Sequence, residues 1–244
     1  MKSDNRLVYS VPMVAAEYVA KLDEAFDPVP KFHQLYEINE KEKYLEEWRL
    51  DLLLGLIGHI IAFQVLLRFA WLYKHISTVA WVARNLLEIA VWTDYCCTSL
   101  DNARRLYEDA FRDSRDLIKA ADAMVPLYLA RDPQSPIKHS VLEAFQDLEK
   151  KAVEEGVADL DASYYSVSKA AEELGTGGIV KPIYKMLSKF AHPTALVLAK
   201  YIPGDKRFDP VLDNIFGLGV AHAVDAFHKL EAYLKAAGFD SIPR

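Results

Sequence analysis

The sequence predicts an all-α protein: a single bundle of seven or eight helices with one long central helix. Three observations predict it. Apolar residues recur three and four positions apart along almost the whole chain, the repeat of a helix with one buried face. Alternating runs of β-branched and aromatic residues, which mark strands, are scarce. Only 10 glycines and 11 prolines punctuate the 244 residues, too few for a turn-rich all-β chain. With 52% hydrophobic and 26% charged residues, the composition is globular rather than disordered. The length allows one or two domains. Few composition shifts divide the chain, so one is expected: an N-terminal helical segment, residues 1–38, packed on a bundle domain of residues 39–244.

Taken in order, Ser10 can cap a first helix that runs to Phe26 and stops at Asp27-Pro28-Val29-Pro30. Asn39 and Glu42 have the spacing of a capping box. From there Tyr44, Leu45, Trp48 and Leu52 begin an apolar pattern that reaches about Tyr73, with Gly55 and Gly58 as points of bending. Ser77 or Thr78 starts a third helix, Val79 to about Ser99, and Asp101 caps a fourth reaching toward Leu129. The fourth helix interleaves Arg104, Glu108, Asp109, Arg112, Asp113 and Asp116, which reads as a solvated, self-paired face. Arg131 to Pro136 is the clearest break. A helix of about Ile137 to Glu155 follows, then a short one capped by Asp161 and ending at Leu174. Gly175-Thr176-Gly177-Gly178 is a flexible turn; it has neither the lysine nor the preceding strand of a phosphate-binding loop. Lys181 to about Lys200 is helical, and Val211 to about Ala237 forms the last helix, with Gly238 as its stop.

Twenty-nine basic against 35 acidic residues give a net charge of −6, which argues against a broad electrostatic grip on nucleic acid. The two cysteines, Cys96 and Cys97, are adjacent and cannot build a disulfide framework or a zinc knuckle. With no secretory signal in the first 20 residues, a reducing, cytoplasmic setting is expected. The stretch Leu52 to Leu72 is long enough to span a bilayer. His59, Gln64 and Arg68 fall within it, however, and a charge at mid-membrane costs roughly 2.5–3.5 kcal/mol. It reads as the buried central helix of a soluble bundle.

Two segments carry the chemistry. In the third helix Arg84 and Glu88 lie four apart on one face, with Trp81, Trp92 and Tyr95 on the same side. An arginine and a glutamate framed by aromatics are drawn inward, where each charge needs its match, and such pairs are functional candidates. In the later helix Tyr184, Ser188 and His192 are spaced by four, so two hydroxyls and an imidazole line one face, with Lys185 beside them. Pro193 has no N–H to give the Lys189 carbonyl, and bends the helix next to His192. Histidine is the side chain suited to acid–base work near neutral pH. Metal chemistry is disfavoured. His222, Asp225 and His228 recur every three residues, which turns His228 about 240° from His222 at 100° per residue. No Glu-x-x-His pair of the kind used by di-iron bundles occurs. Gly-x-Ser-x-Gly nucleophile motifs are absent, and no cofactor is expected.

The run Arg84-Asn85-Leu86-Leu87-Glu88, together with Tyr184-Lys185-Met186-Leu187-Ser188-Lys189-Phe190-Ala191-His192-Pro193, resembles a bacterial family of all-helical proteins of uncharacterised function. The resemblance spans the long second helix through Pro193. That family is in turn distantly similar to the HEPN helical domains of toxin and phage-defence ribonucleases. Those enzymes cut RNA without metal, using an arginine four to six residues before a histidine, often across a dimer interface. Here no arginine stands at that spacing before His192, and Arg84 on another helix takes its place. The resemblance implies His192 as general base or acid and Arg84 as stabiliser of phosphorane charge, with Lys185 assisting. Glu88 would orient Arg84, and Ser188 would position the phosphate.

The function expected first is therefore binding or interaction. A polar cleft of Arg84, Glu88, Tyr184, Lys185, Ser188 and His192 would receive an anionic ligand or partner, and ribonuclease activity is the alternative. The expected partners are a second copy of the chain, given four tryptophans in its first half, and RNA or a small anion. Neither a membrane nor DNA is expected.

Overall fold

A computed structural model describes residues 6–26, 31–157, 159–192, 194, 197 and 205–239. Among these residues the protein is all-α, with nine α-helices and no strand. They are α1 (Arg6–Phe26), α2 (Phe32–Glu42), α3 (Glu47–Leu72), α4 (Ile76–Thr98), α5 (Leu100–Arg131), α6 (Ile137–Glu154), α7 (Val167–Glu173), α8 (Gly177–Ala191) and α9 (Asp209–Ala236). A 3-10 turn, Lys206–Phe208, leads into α9. The chain divides into two compact units, one formed by Met1–Leu100 with Val167–Arg244 and the other by Asp101–Ser166.

In the first unit α4 is the hub, packing against α3, α7, α8 and α9. Its sequence explains why: Val79, Val82, Ala83, Leu86, Leu87 and Ala90 are all buried, so the helix is apolar well beyond one stripe. Small residues let α9 come close. A Cβ built on Gly219 would lie 3.2 Å from the Ala83 Cβ and 2.8 Å from a Leu67 methyl. The end of α3 is tied to α9 by Trp71, whose indole donates to the buried Asp213 carboxylate at 2.6 Å and stacks on Phe216 at 4.8 Å.

The long central helix is only half central. Leu50, Leu53, Ile57, Ile60, Gln64 and Leu67 of α3 are buried, while Gly55, His59, Ala62, Leu66 and Phe69 are exposed. Among the described residues α3 is the helix long and apolar enough to cross a membrane, and less than half of its apolar window is buried.

Helix starts differ most from the sequence expectations, because side chains placed to cap were recruited elsewhere. α1 begins at Arg6, so Ser10 sits inside it. Asn39 lies in the last turn of α2 rather than opening the long helix. Its amide donates to the Leu45 carbonyl and accepts the Leu45 N–H, both at 2.9 Å, and so fixes the α2–α3 turn. His75 caps α4 in place of Ser77 or Thr78, its Nδ1 accepting the Thr78 N–H at 3.2 Å. Gly177 and Gly178 form the first turn of α8 instead of a loop, and the left-handed bend falls at Gly175 (φ +72°). α8 stops at Ala191; the continuation expected to Lys200 lies largely outside the described residues.

The second unit is the hairpin of α5 and α6 with residues 159–166 folded alongside. The charged face of α5 is wet at Asp113 and Asp116, as expected, but Asp109 and Arg112 form a buried network within it. Arg112 donates to Asp109 at 2.6 Å, to Glu108 at 3.3 Å and to the Asp159 carbonyl at 3.1 Å. The other Asp109 oxygen accepts the Tyr165 N–H at 2.9 Å. Asp109 is 5% and Arg112 9% exposed. Asp161 does not cap α7; it pairs with Arg115 at 2.9 Å and Lys119 at 3.1 Å. The segment after α6 folds back over those charges, a tertiary contact that spacing along one helix cannot reveal.

Candidate functional site

α4 and α8 pack side by side in the first unit, and the two polar segments meet across their contact. Arg84 is the centre. Its Nε donates to Glu88 Oε1 at 3.1 Å, one turn along α4. Its guanidinium carbon lies 4.3 Å from the centroid of the Tyr184 ring, and Nη2 donates to the Tyr184 hydroxyl. Its Nη1 is 3.1 Å from His192 Nε2. A guanidinium has only donors, so this contact is a hydrogen bond in the tautomer whose Nε2 carries no proton. The Arg84 and Glu88 side chains are 23% and 27% exposed, and His192 is exposed. The cluster is therefore half-buried on its α4 side and open to solvent at the imidazole.

Electrostatics keep the phenol protonated. Burial, and then the Glu88 carboxylate beside it, raise the Tyr184 pKa, while Arg84 pulls the other way. Tyr184 thus remains a neutral hydroxyl that can accept from Arg84.

The end of α8 places the imidazole. His192 is the C-terminal cap, with extended backbone (φ −98°, ψ 155°). The Thr194 hydroxyl donates to the Lys189 carbonyl at 2.9 Å, the acceptor that a proline at position 193 cannot serve. Ser188 is close in sequence, but its hydroxyl donates to the Tyr184 carbonyl at 2.8 Å, so its proton is spent within the helix. Lys185 is exposed on α8, as is Lys189. The expected tryptophan frame is not what holds Arg84. Trp81 is exposed and packs edge-on against Phe63 at 5.7 Å. Tyr95 is buried, with Trp92 against it at 5.9 Å. The aromatic under the guanidinium is Tyr184 from the other helix. Its own position in the Tyr184/Ser188/His192 row was the only sequence signal for that role.

Other reactive groups are accounted for by packing. Lys229 bridges Asp94 at 2.7 Å and Asp225 at 2.8 Å, which engages the carboxylate nearest His222 in sequence. His222 Nε2 is buried without a partner, and burial lowers its pKa. Burial also pushes the Cys96 thiol up to about 12 and Cys97 to about 11, far from a reactive thiolate. Among the described residues no group of three His, Cys, Asp or Glu side chains has the spacing to hold a metal ion.

Neither a curated protein nor a solved structure matches the chain. A family model does. It covers residues 52–208, well over half of the sequence and inclusive of Arg84, Glu88, Tyr184 and His192, and its description is a family of unknown function; the chain belongs to that family, DUF5677.

Proposed function

We propose that the Arg84–His192 cluster binds an anionic group, a phosphate or a carboxylate, carried by a small ligand or a partner. The observation that carries this reading is the 3.1 Å contact between Arg84 Nη1 and His192 Nε2. Arginine is held in place from two sides, by Glu88 and by Tyr184, while the third side faces an exposed imidazole. When that ring is protonated, Nε2 becomes a donor and can no longer accept from Arg84. Two cationic donors then point into the same space, and an oxyanion that accepts from both relieves their repulsion. Glu88 offsets one positive charge, and Lys185 and Lys189 add exposed positive charge on α8.

Titration of the full chain with inorganic phosphate, followed through the His192 ring resonances, tests this. Shifts confined to His192 and the Arg84 side chain, saturating with phosphate and lost in Arg84→Ala, are expected. Unmoved resonances at tens of millimolar phosphate would end the proposal.

A second reading is metal-independent RNA cleavage, favoured by the same ring nitrogen next to a guanidinium. In it His192 takes or gives the proton of a ribose hydroxyl, Arg84 stabilises the charge developing on the phosphate, and Glu88 orients Arg84. Ser188, whose proton is committed to the Tyr184 carbonyl, plays no donor role. Degradation of single-stranded RNA in EDTA by the wild type, abolished in His192→Ala, would establish this reading over simple binding.

A further inference from the structure

α3 carries an exposed stripe, along which the His59 ring stacks on Phe63 of the same helix at 6.2 Å. Gly55, His59, Ala62, Leu66, Phe69 and Tyr73 are all exposed, and their spacing is four, three, four, three, four, the seam of helices that pair lengthwise. Leu66 is 38%, Phe69 55% and Tyr73 80% exposed. Val65 and Leu72 flank the stripe and are exposed as well. None of these positions carries a carboxylate, lysine or arginine. The nearby charges are engaged elsewhere: Arg68 pairs with Asp23 at 2.6 Å, Lys74 with Asp209 at 3.5 Å, and Asp51 accepts from the Tyr36 hydroxyl at 2.7 Å.

We propose that this face is a two-fold interface between two copies of the chain, with the α3 helices antiparallel and the axis passing at Gln64. Three features select that occupant. First, the spacing reads the same in both directions: residues 55 and 73, 59 and 69, and 62 and 66 lie equally far from position 64. A self-matching patch is what a two-fold interface requires. Second, the sizes complement each other only when the helices run in opposite directions. Gly55 then receives Tyr73 and Ala62 receives Leu66, while the His59 ring lies against Phe69. Space exists at the glycine end, since a Cβ on Gly55 would meet nothing within 4 Å. A parallel pairing would set tyrosine on tyrosine at one end and glycine on glycine at the other. Third, the exposed parts of Val65, Leu66, Phe69, Leu72 and Tyr73 come to roughly 500 Å² per copy, hence about 1,000 Å² for the pair, where specific interfaces begin. A lipid bilayer is the competing occupant. It is disfavoured because the opposite face of the same helix is buried against α4 and α9.

Sedimentation and light scattering of the full chain at tens of micromolar test the association. A mass twice the protomer's 27.6 kDa is expected, falling to that of the protomer in Phe69→Glu with unchanged far-UV circular dichroism and melting temperature. Direction is read by disulfide trapping: Ala62→Cys/Leu66→Cys cross-links two chains on oxidation, and neither single variant does. A monomeric wild type, a dimer indifferent to Phe69→Glu, or single variants that cross-link with themselves would each overturn the proposal. So would flotation of the wild type with neutral phosphatidylcholine vesicles, lost in Phe69→Glu, which would give the stripe to lipid.

Discussion

Arg84→Ala separates a binding site from a structural bolt, because the two make different demands on stability. Four contacts are lost. The intrahelical pair with Glu88 is worth about 0.3–0.5 kcal/mol at partial exposure. The stacked guanidinium over Tyr184 adds roughly 0.5–1 kcal/mol. Hydrogen bonds to the Tyr184 hydroxyl and to His192 add ~0.5 kcal/mol each, at the low end of the usual range because His192 is exposed. Glu88 is 27% exposed, so water reaches its carboxylate after truncation, and the 3–5 kcal/mol cost of orphaning a buried ion is not incurred. The expected loss is about 2 kcal/mol. For a chain of this size that lowers the melting temperature by about 4–8 °C. Thermal and urea unfolding followed by circular dichroism measure it, with Arg84→Lys as the control that keeps the charge but loses the planar fork. A loss above about 4 kcal/mol would show the cluster to be a buried fastening, and the argument for a ligand facing solvent would fail. No loss at all would mean that the α4–α8 contacts do not form in solution.

Two further perturbations follow from the buried groups. Arg112→Ala leaves the Asp109 carboxylate, 5% exposed, with the Tyr165 N–H as its hydrogen-bond donor among the described residues, and is expected to cost about 3–5 kcal/mol; the second unit should become sensitive to limited proteolysis within residues 101–166, and unchanged cleavage would contradict the network. His222 has its pKa lowered from 6.5 by burial, so the unfolded chain binds its proton at higher pH than the folded one. Its contribution to stability is present above about pH 6.5 and is lost as pH falls through the folded value. His222→Gln should therefore flatten the acid limb of urea stability between pH 7.5 and 5.5, and an unchanged slope would place the burdened group elsewhere.

The fold class was legible because it rests on periodicity, a local property. Helix ends were legible only where the stop signal acts on its own backbone. Phe26 before the Pro28 and Pro30 breaker, and Ala236 before Gly238 at φ +118°, are of this kind. Caps failed where a polar side chain had a tertiary alternative: Asn39 turned to Leu45, and Asp161 to Arg115 and Lys119. The solvated reading of α5 failed at Asp109 and Arg112 for the same reason, since their pair at three residues does form but is covered by a segment some 50 positions later. The site lay between these cases. Four-residue spacing put Arg84 beside Glu88 and Tyr184 in line with His192, but the pairing of α4 with α8 is a contact across about 100 residues. The aromatic that stacks on Arg84 could not be chosen from among the tryptophans of its own helix. Likewise, α3 reads as a wholly buried helix because it is apolar on every side. A helix apolar all round can owe its second face to a partner rather than to its own core.

The encounter of Arg84 with His192 depends on where α8 ends. In a continuous helix each side chain is carried 100° round and 1.5 Å along from its predecessor, and His192 would be fixed over Ser188 by that rule. The proline at 193 cannot donate to the Lys189 carbonyl, and the Thr194 hydroxyl takes up that acceptor instead. The helix then closes at Ala191 and His192 is released into extended backbone. Its ring is set by the cap and by Arg84, not by the helical repeat. Among the described residues His192 is engaged through one ring nitrogen, and it is exposed; in the anion-binding reading proposed above, the imidazole is therefore the part that turns from Arg84 to a competing anion, while α4 and α8 stay packed. The same local stop that interrupts the helix thus separates the adjustable half of the site from the rigid half. Glu88 and Tyr184 hold the guanidinium on regular helix, and in the proposed reading the cap leaves the histidine to meet the anion.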